Sequence, residues 1–212
     1  MIETAECTCG VIAAEVHQCQ EHFRLWRHGK RLTSVSRIIG AILPTDWSKI
    51  DAAVLENARH RGEQVDRLFS AYVLGNLSEY PVGTRNDAMV LFERLQEWYD
   101  RQNFKSVQAQ VVLGCEDHGG VMDLRLDGVP VELKATSRIE ESHLMQTACY
   151  AYLDGGTDWH RKSASILHVT ERQAKARLIP LMPEDFRDWK IMLAAWRMIQ
   201  RRKPSKGEPN DD

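Results

Sequence analysis

The dipeptide Asp127-Gly128 constrains the fold of this chain more than any other feature, because two runs of alternating residues flank it. An Asp-Gly pair in that setting is the strongest short signal for a β-hairpin. A two-residue loop fixes the register and places Asp123 opposite Glu132. Since side chains alternate along a strand, the hairpin has one apolar face and one charged face. The predicted apolar face consists of Met122, Leu124, Leu126, Val129, Val131 and Leu133, and the predicted charged face of Asp123, Arg125, Glu132 and Lys134.

Two carboxylates face each other on the charged side of this hairpin. In such a pair the Cβ atoms are about 5 Å apart, and like charges placed in this way destabilise a sheet. A divalent cation between Asp123 and Glu132 would relieve the repulsion, and Mg²⁺ and Mn²⁺ prefer oxygen ligands. Lys134 projects from the same face, where it could hold an attacking water or stabilise charge on a phosphate. A solvent-exposed hairpin whose acids are neutralised by Arg125 and Lys134 has the same pattern, and the hairpin alone favours that interpretation.

The rest of the chain alternates between helical and strand periodicity. The predicted helices cover a short segment within 32–43 that is capped by Thr33 or Ser34, and then 47–74, 84–101, 141–154 and the residues from Pro183 onward. The predicted strands cover 107–113, 120–126, 129–134, 164–170 and 176–181. This order predicts an α/β fold in which helices flank a sheet, and it excludes a helical bundle or a β-sandwich.

Composition limits the domain organisation and the function class. The 212 residues carry a formal net charge of -2, so DNA binding would need a local basic patch. No apolar run approaches the roughly 20 residues of a membrane span, and the polar N-terminus is unlike a signal peptide. Five cysteines without framework spacing indicate a reducing, cytoplasmic environment. We expect an irregular N-terminal extension over 1–30, one domain over 31–202 and a disordered tail over 203–212.

A spaced set of residues in the hairpin resembles a known nuclease motif. Gly120-x-x-Asp123 is followed, after eight intervening residues, by Glu132-Leu133-Lys134. This order resembles the core motif of the PD-(D/E)XK nuclease superfamily. The resemblance favours the metal-binding interpretation of the hairpin over the solvent-exposed one.

Three further segments resemble the RecB-like branch of that superfamily. The segment HLMQTACYAYL resembles the Gln-x-x-x-Tyr helix of this branch. The resemblance places Gln146 and Tyr150 on one helix face. The Ser-Val-Thr entry motif of lambda-type phage exonucleases and mitochondrial genome-maintenance exonucleases is similar to TSVSRIIGAIL, and their first-motif helix is similar to RGEQVDRLFSAYVLG. Together with the hairpin motif, these resemblances indicate a match that runs from about residue 31 to residue 200.

The resemblance implies a restriction-endonuclease-like core, a mixed β-sheet flanked by α-helices, that cuts phosphodiester bonds with Mg²⁺ or Mn²⁺. By this resemblance Asp123, Glu132 and the backbone carbonyl of Leu133 are metal ligands, and Lys134 is the catalytic lysine. The Gln-x-x-x-Tyr pair would support the site or contact DNA. A metal held there would polarise the phosphate and lower the pKa of the attacking water.

The long helix departs from the family pattern, because Asp66 stands where RecB-like enzymes usually carry a metal-binding His. Asp is a good Mg²⁺ ligand. Glu63 lies three residues earlier on the same helix face, so either acid could serve. A solvated helix face in which Arg59 and Arg67 accompany the two acids is an equal alternative.

A second departure lies in the strand before the hairpin. The family often has an acid where this chain has the neutral Gln110. Glu116 or Asp117 could replace that acid, and the sequence does not rank them.

Residues at two element ends are candidate contacts for DNA phosphate. Ser34, Ser36 and Arg37 open a helix, where backbone N–H groups favour anions. An ordinary N-cap has the same residues and is the simpler interpretation. Ser137 and Arg138 follow the second hairpin strand and could also contact the DNA backbone.

The N-terminal segment contains residues that could suggest zinc. They are Cys7, Cys9, His17, Cys19 and His22. Their spacing does not match the usual Cys-x₂₋₄-Cys pair of a zinc site. An iron–sulfur cluster of the kind some RecB-like nucleases carry near the C-terminus is not expected, since no Cys follows Cys149.

The leading hypothesis is a metal-dependent exonuclease that acts on linear ends of double- or single-stranded DNA, in phage or prophage recombination or repair. It would work in the cytoplasm of a bacterial or phage-infected cell, with a single-strand annealing protein as partner and with a homo-oligomer as a further option. Two alternatives stay open. One is an endonuclease specific for branched or nicked DNA, and the other is a non-catalytic DNA-binding protein in which Asp66 and Gln110 mark a decayed site.

Overall fold

Six strands form the main sheet, and helices pack on both of its faces. This computed structural model describes residues 16–19, 24–27, 30–44, 46, 48–77, 83–155, 163–173 and 175–202. The strands are β1 His17–Cys19, β2 Arg24–Arg27, β3 Lys30–Arg31, β4 Thr33–Ser34, β5 Val107–Gly114, β6 His118–Leu126, β7 Val129–Lys134, β8 Ser165–His168 and β9 Arg177–Pro180. The helices are α1 Val35–Ile42, α2 Ala52–Val73, α3 Asn86–Asp100, α4 Glu141–Gly155 and α5 Pro183–Arg202.

The main sheet is mixed, which confirms the predicted α/β class with a mixed sheet flanked by helices. The strand order is β4-β6-β7-β8-β9, and β5 pairs with β6. The β4–β6 and β7–β8 pairs are parallel, and the other pairs are antiparallel. Strand β6 pairs with β4 at His118–Gly119 and with β7 at Leu124–Leu126. Asp123 therefore lies directly before the point where β6 joins β7.

The hairpin has the predicted loop and register. Asp127 and Gly128 have φ angles of 47° and 81°, the left-handed values that a two-residue type I′ loop requires. The Asp127 carboxylate also accepts the backbone N–H groups of Lys105 and Ser106 at 2.8 Å, which ties the loop to the start of β5. The paired residues are Leu124 with Val131, Arg125 with Pro130, and Leu126 with Val129.

Two apolar clusters fill the two faces of the sheet. The α4–α5 cluster lies beneath α1, α4 and α5, and the α2–α3 cluster lies beneath α2 and α3. Fully buried members of the α4–α5 cluster include Ile38, Ala148, Ile166 and Trp189. Fully buried members of the α2–α3 cluster include Val65, Phe92, Leu95, Leu167 and Val169.

The prediction that Met122 shares a face with Leu124 is wrong. Met122 packs in the α4–α5 cluster, and Leu124 packs in the α2–α3 cluster. The same exchange of faces occurs in β5, where Ala109 belongs to the α2–α3 cluster and Val111 to the α4–α5 cluster. Gln110, between these two, has a φ of 54°, and this left-handed residue interrupts the regular alternation of the strand.

Part of the range predicted as irregular is a small antiparallel sheet of β1, β2 and β3. Strands of two to four residues are too short for a period-two pattern to be detected. The predicted tail over 203–212 lies outside the described residues. Within the described ranges, no helix is long and apolar enough to cross a bilayer.

Two helix starts follow from their capping residues. The Ser34 hydroxyl accepts the N–H of Arg37 at 3.3 Å, which confirms the predicted N-cap of α1. Helix α2 begins at Ala52, five residues later than expected, because the Asp51 carboxylate caps it by accepting the N–H of Ala53 at 2.8 Å.

Candidate active site

A cleft of about 280 Å³ lies between α2, the interior of β6 at Asp123 and the C-terminal end of β7. Helix α2 contributes Asp66, β6 contributes Asp123, and β7 contributes Glu132 and Lys134. Three carboxylates and a lysine from three different elements thus converge on one space. The lining residues are Ala58, Arg59, Gly62, Glu63, Asp66, Asp123, Glu132, Leu133, Lys134, Ala135 and Thr136.

Glu132 is the most buried acid of this cleft, with 2% of its surface exposed. One oxygen, Oε1, lies 2.7 Å from the Lys134 ammonium, and the side chain of Lys134 is 15% exposed. The other oxygen, Oε2, is buried and has no hydrogen-bond partner in the described part of the chain. Burial raises the pKa of Glu132, and the neighbouring lysine opposes this rise. The interpretation of a solvent-exposed hairpin is therefore wrong for this pair.

Asp123 lies beside Glu132 without forming a regular cross-strand pair with it. The β6–β7 ladder ends at Leu124 and Val131. One step further, the Asp123 carboxylate accepts the backbone N–H of Leu133 at 2.8 Å. Burial and the charge of Glu132 both raise the pKa of Asp123. The carboxylate is thus held at the sheet surface beside a second acid.

A chain of polar contacts fixes Lys134. Its ammonium donates to Glu132 at 2.7 Å and to the amide oxygen of Gln146 at 3.0 Å, and the Gln146 amide lies 3.4 Å from the Tyr150 hydroxyl. Burial alone would lower the pKa of Lys134, but the adjacent carboxylates raise it, so the side chain stays charged. Of the pair predicted to support the site or to contact DNA, Gln146 contacts Lys134 directly, and Tyr150 is linked to Lys134 through Gln146.

Position 120 is occupied by glycine because Tyr150 leaves no room for a side chain there. A Cβ atom at this position would lie 2.5 Å from the ring carbon Cε1 and 2.8 Å from the hydroxyl oxygen of Tyr150. Real Cβ atoms do not approach other heavy atoms this closely. The glycine of the Gly-x-x-Asp segment therefore allows α4 to lie close enough for Gln146 to reach Lys134.

Asp66 projects from α2 toward the hairpin acids. Its carboxylate accepts the amide of Gln110 at 3.1 Å and lies 3.4 Å from the hydroxyl of Ser70. Burial and the charge of Asp123 raise the pKa of Asp66 to about 7. Gln110, which sequence reasoning treated only as a missing acid, is in fact a hydrogen-bond partner of the helix acid.

Glu63 lines the same cleft, but it is exposed and pairs with Arg59 at 3.2 Å. Glu63 therefore belongs to a solvated helix face, as the alternative interpretation predicted. Asp66 instead points toward Gln110 and the hairpin. Sequence reasoning did not identify the small residues Ala58 and Gly62 as part of the site. Their spacing of four residues, continued by Asp66, was the available signal, because residues four apart share one helix face.

The predicted phosphate contacts do not line the cleft in the part of the chain that the structure describes. Ser34 and Ser36 lie at the start of α1, where their hydroxyl oxygens are 3.3 Å apart. Arg138 is exposed and pairs with Glu140. The other members of this group are Arg37, which is exposed at the first turn of α1, and Ser137, which is exposed in the turn after β7.

The two acids considered as substitutes for Gln110 lie elsewhere. Glu116 is exposed in the β5–β6 turn. Asp117 forms an ion pair with Arg197 at 2.8 Å and contacts His118 at 2.6 Å. Of the N-terminal residues considered for zinc, Cys7, Cys9 and His22 lie outside the described residues, as do the side chains of His17 and Cys19.

The donor set of the cleft fits a hard divalent cation. Its lining has four carboxylates and two cationic side chains, an excess of two negative charges when all are ionised. Carboxylate oxygens are preferred ligands of Mg²⁺ and Mn²⁺. The buried Oε2 of Glu132 has its lone pairs available, and an isolated buried carboxylate oxygen is costly unless something binds it.

Comparisons with known proteins identify the fold. No protein-family profile matches this chain, and no curated protein matches it. The chain is similar to the crystal structure of a "Putative exonuclease" from Eubacterium rectale, with a TM-score of 0.50 and 18% sequence identity over 81% of this chain and 79% of the other. An alkaline exonuclease from Laribacter hongkongensis gives a TM-score of 0.45 and 8% identity over 80% of this chain and 88% of the other. The first likeness shows that the mixed sheet and its flanking helices form a fold already seen in a solved structure.

Proposed function

We propose that this protein is a nuclease that hydrolyses DNA phosphodiester bonds with Mg²⁺ or Mn²⁺. One observation carries the proposal: Asp66, Asp123 and Glu132 line one cleft beside Lys134, and the buried Oε2 of Glu132 has no partner among the described residues. Three acids without enough cations to neutralise them are a costly arrangement, which a bound divalent metal would stabilise.

In this proposal Asp66, Asp123 and Glu132 hold the metal together with the backbone carbonyl of Leu133. When bound, the metal would polarise the phosphate and lower the pKa of the attacking water. Glu132 would turn its free oxygen to the metal and keep the other on Lys134. The charged Lys134, held in place by Gln146, would then orient the water or stabilise negative charge on the phosphate oxygens.

DNA is the proposed substrate, and free ends are the proposed point of attack. The support is the fold shared with a protein whose name includes the word exonuclease, together with the resemblance of the Gly-x-x-Asp and Glu-x-Lys segments to PD-(D/E)XK nucleases of the RecB-like branch. Ser34, Ser36 and Arg37 at the start of α1, with Ser137 and Arg138 after β7, are proposed contacts for DNA phosphates. A single-strand annealing protein and a second copy of this chain are proposed partners.

The first prediction tests the acid–lysine pair. We expect Glu132→Gln and Lys134→Ala each to reduce Mn²⁺-dependent degradation of linear DNA by at least about 100-fold, because each removes a group that acts on the reacting atoms. The matched control is Glu97→Gln, which changes an exposed acid on α3 that pairs with Arg101. Full activity in either cleft variant would contradict the role proposed for that residue.

Substrate form and metal binding separate the remaining alternatives. Cutting of a closed circular DNA would indicate an endonuclease, and end-labelled linear DNA and RNA would give the polarity and the choice of nucleic acid. Calorimetric titration with Mn²⁺ addresses the non-catalytic alternative. DNA binding in a protein that neither binds Mn²⁺ nor cuts DNA would overturn the proposed function.

A further inference from the structure

A second cluster of potential ligands lies outside the cleft, in the turn between β5 and β6. The turn is closed by a hydrogen bond of 2.9 Å from the N–H of Cys115 to the carbonyl of His118. Cys115 Sγ lies 3.1 Å from His118 Nδ1 and 3.3 Å from Asp117 Oδ1, and these two atoms are 2.6 Å apart. A sulfur, a nitrogen and an oxygen atom thus form a closed triangle within one four-residue segment.

The three contacts of this triangle cannot all be hydrogen bonds at the same time. His118 Nδ1 carries either one proton or one lone pair, so it makes one good hydrogen bond. If Nδ1–H donates to Asp117, the Cys115 thiol can donate to the same carboxylate, and the sulfur–nitrogen contact of 3.1 Å has no proton between its atoms. A cation at the centre would contact all three atoms at once.

The geometry is close to that of a zinc site. Tetrahedral Zn²⁺ binds sulfur at about 2.3 Å and nitrogen or oxygen at about 2.0–2.1 Å, which separates ligand atoms by about 3.3–3.6 Å. The observed separations run from 2.6 to 3.3 Å. Outward movements of less than about 1 Å, within one turn, would therefore admit the ion.

The surroundings hold the three side chains in this orientation. His118 is fully buried and packs among Tyr152, Trp189 and Trp196, with its ring stacked on that of Tyr152 at 6.2 Å. Arg197 donates to both oxygens of Asp117, from Nε to Oδ2 at 2.8 Å and from Nη2 to Oδ1 at 3.2 Å. This two-point contact fixes the orientation of the carboxylate, whose Oδ1 also faces Cys115 and His118, as groups that orient metal ligands do.

We propose that Cys115, Asp117 and His118 form a binding site for a thiophilic divalent cation such as Zn²⁺, separate from the carboxylate cleft. The fourth position would be taken by water, on the side where Cys115 is partly exposed. Mixed sulfur, nitrogen and oxygen ligands favour Zn²⁺ over Mg²⁺, and the three acids of the cleft have the opposite preference. A metal here would tie the β5–β6 turn to the end of α5 through Arg197.

The protonation states of the ligands set the pH dependence of this site. Burial lowers the pKa of His118, so the imidazole is neutral, and a metal at Nδ1 requires the tautomer that carries its proton on Nε2. Burial raises the pKa of the Cys115 thiol. Metal binding must therefore release the thiol proton, and affinity should increase with pH. Asp117 is ionised, because Arg197 and His118 lower its pKa against the effect of burial.

Cobalt(II) is the probe that tests this proposal, because a cobalt–thiolate bond gives a charge-transfer band that carboxylate ligands do not give. The full chain is titrated with Co²⁺ and then with Zn²⁺. We expect about one equivalent of thiolate-bound Co²⁺, displaced by Zn²⁺, in a background in which Cys7, Cys9 and Cys19 are replaced by Ser. This background excludes sulfur ligands from the N-terminal segment.

Cys115→Ser is the decisive variant, since serine keeps the size and the hydrogen bonds of the side chain. We expect the band to disappear in this variant and to persist in Cys149→Ala, which removes a buried thiol from α4. In the unmodified chain, Cys115→Ser should remove one equivalent of thiolate-bound cobalt even if the triple-serine background fails to fold. The proposal is overturned if Cys115→Ser leaves the band unchanged, or if a folded triple-serine chain shows no band. Neither readout depends on nuclease activity.

Discussion

Gln110 combines an unusual backbone conformation with a hydrogen-bonding side chain, and the sequence pattern shows neither. The backbone of Gln110 has a left-handed conformation, which is uncommon for a non-glycine residue. Backbone strain of this kind occurs mainly at functional sites. The Gln110 amide donates to both oxygens of Asp66, at 3.1 and 3.3 Å, and to the Ser70 hydroxyl at 3.2 Å. The strained backbone thus aims a neutral donor at a buried acid.

Substitution of Gln110 should separate the contribution of its side chain from that of its backbone. We expect Gln110→Ala and Gln110→Gly each to weaken Mn²⁺ binding by about tenfold, since both leave Asp66 without its orienting partner. The glycine variant should be more stable than the alanine variant by about 1 kcal/mol, because only glycine adopts this φ without strain. Calorimetry and chemical denaturation measure the two effects. Equal stability of the two variants would argue against backbone strain, and unchanged Mn²⁺ affinity would argue against orientation of Asp66.

At the scale of elements, local patterns predicted most of the strands and one turn correctly. The Asp127-Gly128 loop and the register of its hairpin could be predicted because a two-residue turn fixes both by itself. The exchange of faces at Gln110 could not, because period-two reasoning assumes that alternation is unbroken. The contacts of Asp66 with Gln110 and of Asp117 with Arg197 join residues 44 and 80 positions apart. No local pattern contains such pairs, so the orientation of Asp66 and the location of Asp117 needed the structure.

The packing of α4 on β6 leads to a prediction about Gly120. Gly120→Ala places a methyl group 2.5 Å from the Tyr150 ring, so the helix must shift and carry Gln146 away from Lys134. We expect a loss of about 1–3 kcal/mol in the free energy of unfolding, together with a reduction in the proposed nuclease activity. Gly40→Ala is the control, since a Cβ on this residue of α1 meets nothing within 4 Å. A Gly120→Ala protein as stable and active as the unmodified chain would show that the contact with Tyr150 is not needed.

At the scale of the whole molecule, two apolar clusters support the main sheet, and three acids and a lysine line one cleft beside it. The net charge of -2 conceals this arrangement, because the cleft alone has an excess of two negative charges when its acids are ionised. Buried acids destabilise a metal-free fold, and the same acids gain most from a bound cation. The side chains that would bind the proposed metal therefore lower the stability of the metal-free fold.

The raised pKa of Asp66 makes the stability of the metal-free fold depend on pH. Its pKa is about 7 in the fold and 3.8 in the reference state, so the folded chain keeps a proton that the unfolded chain loses. The free energy of unfolding should fall as pH rises from about 4 to 7, by at most about 4 kcal/mol from this group, and stay level above. Asp66→Asn should remove this fall, making the metal-free protein more stable at pH 8. It should also reduce the rise in melting temperature that the proposed binding of Mn²⁺ would produce. Denaturation curves at pH 5 and pH 8, with Mn²⁺ and with chelator, measure both effects, and Glu63→Gln is the exposed control on the same helix. If Asp66→Asn is less stable than the unmodified chain when both are metal-free at pH 8, the buried Asp66 carboxylate does not destabilise the fold and the prediction is wrong.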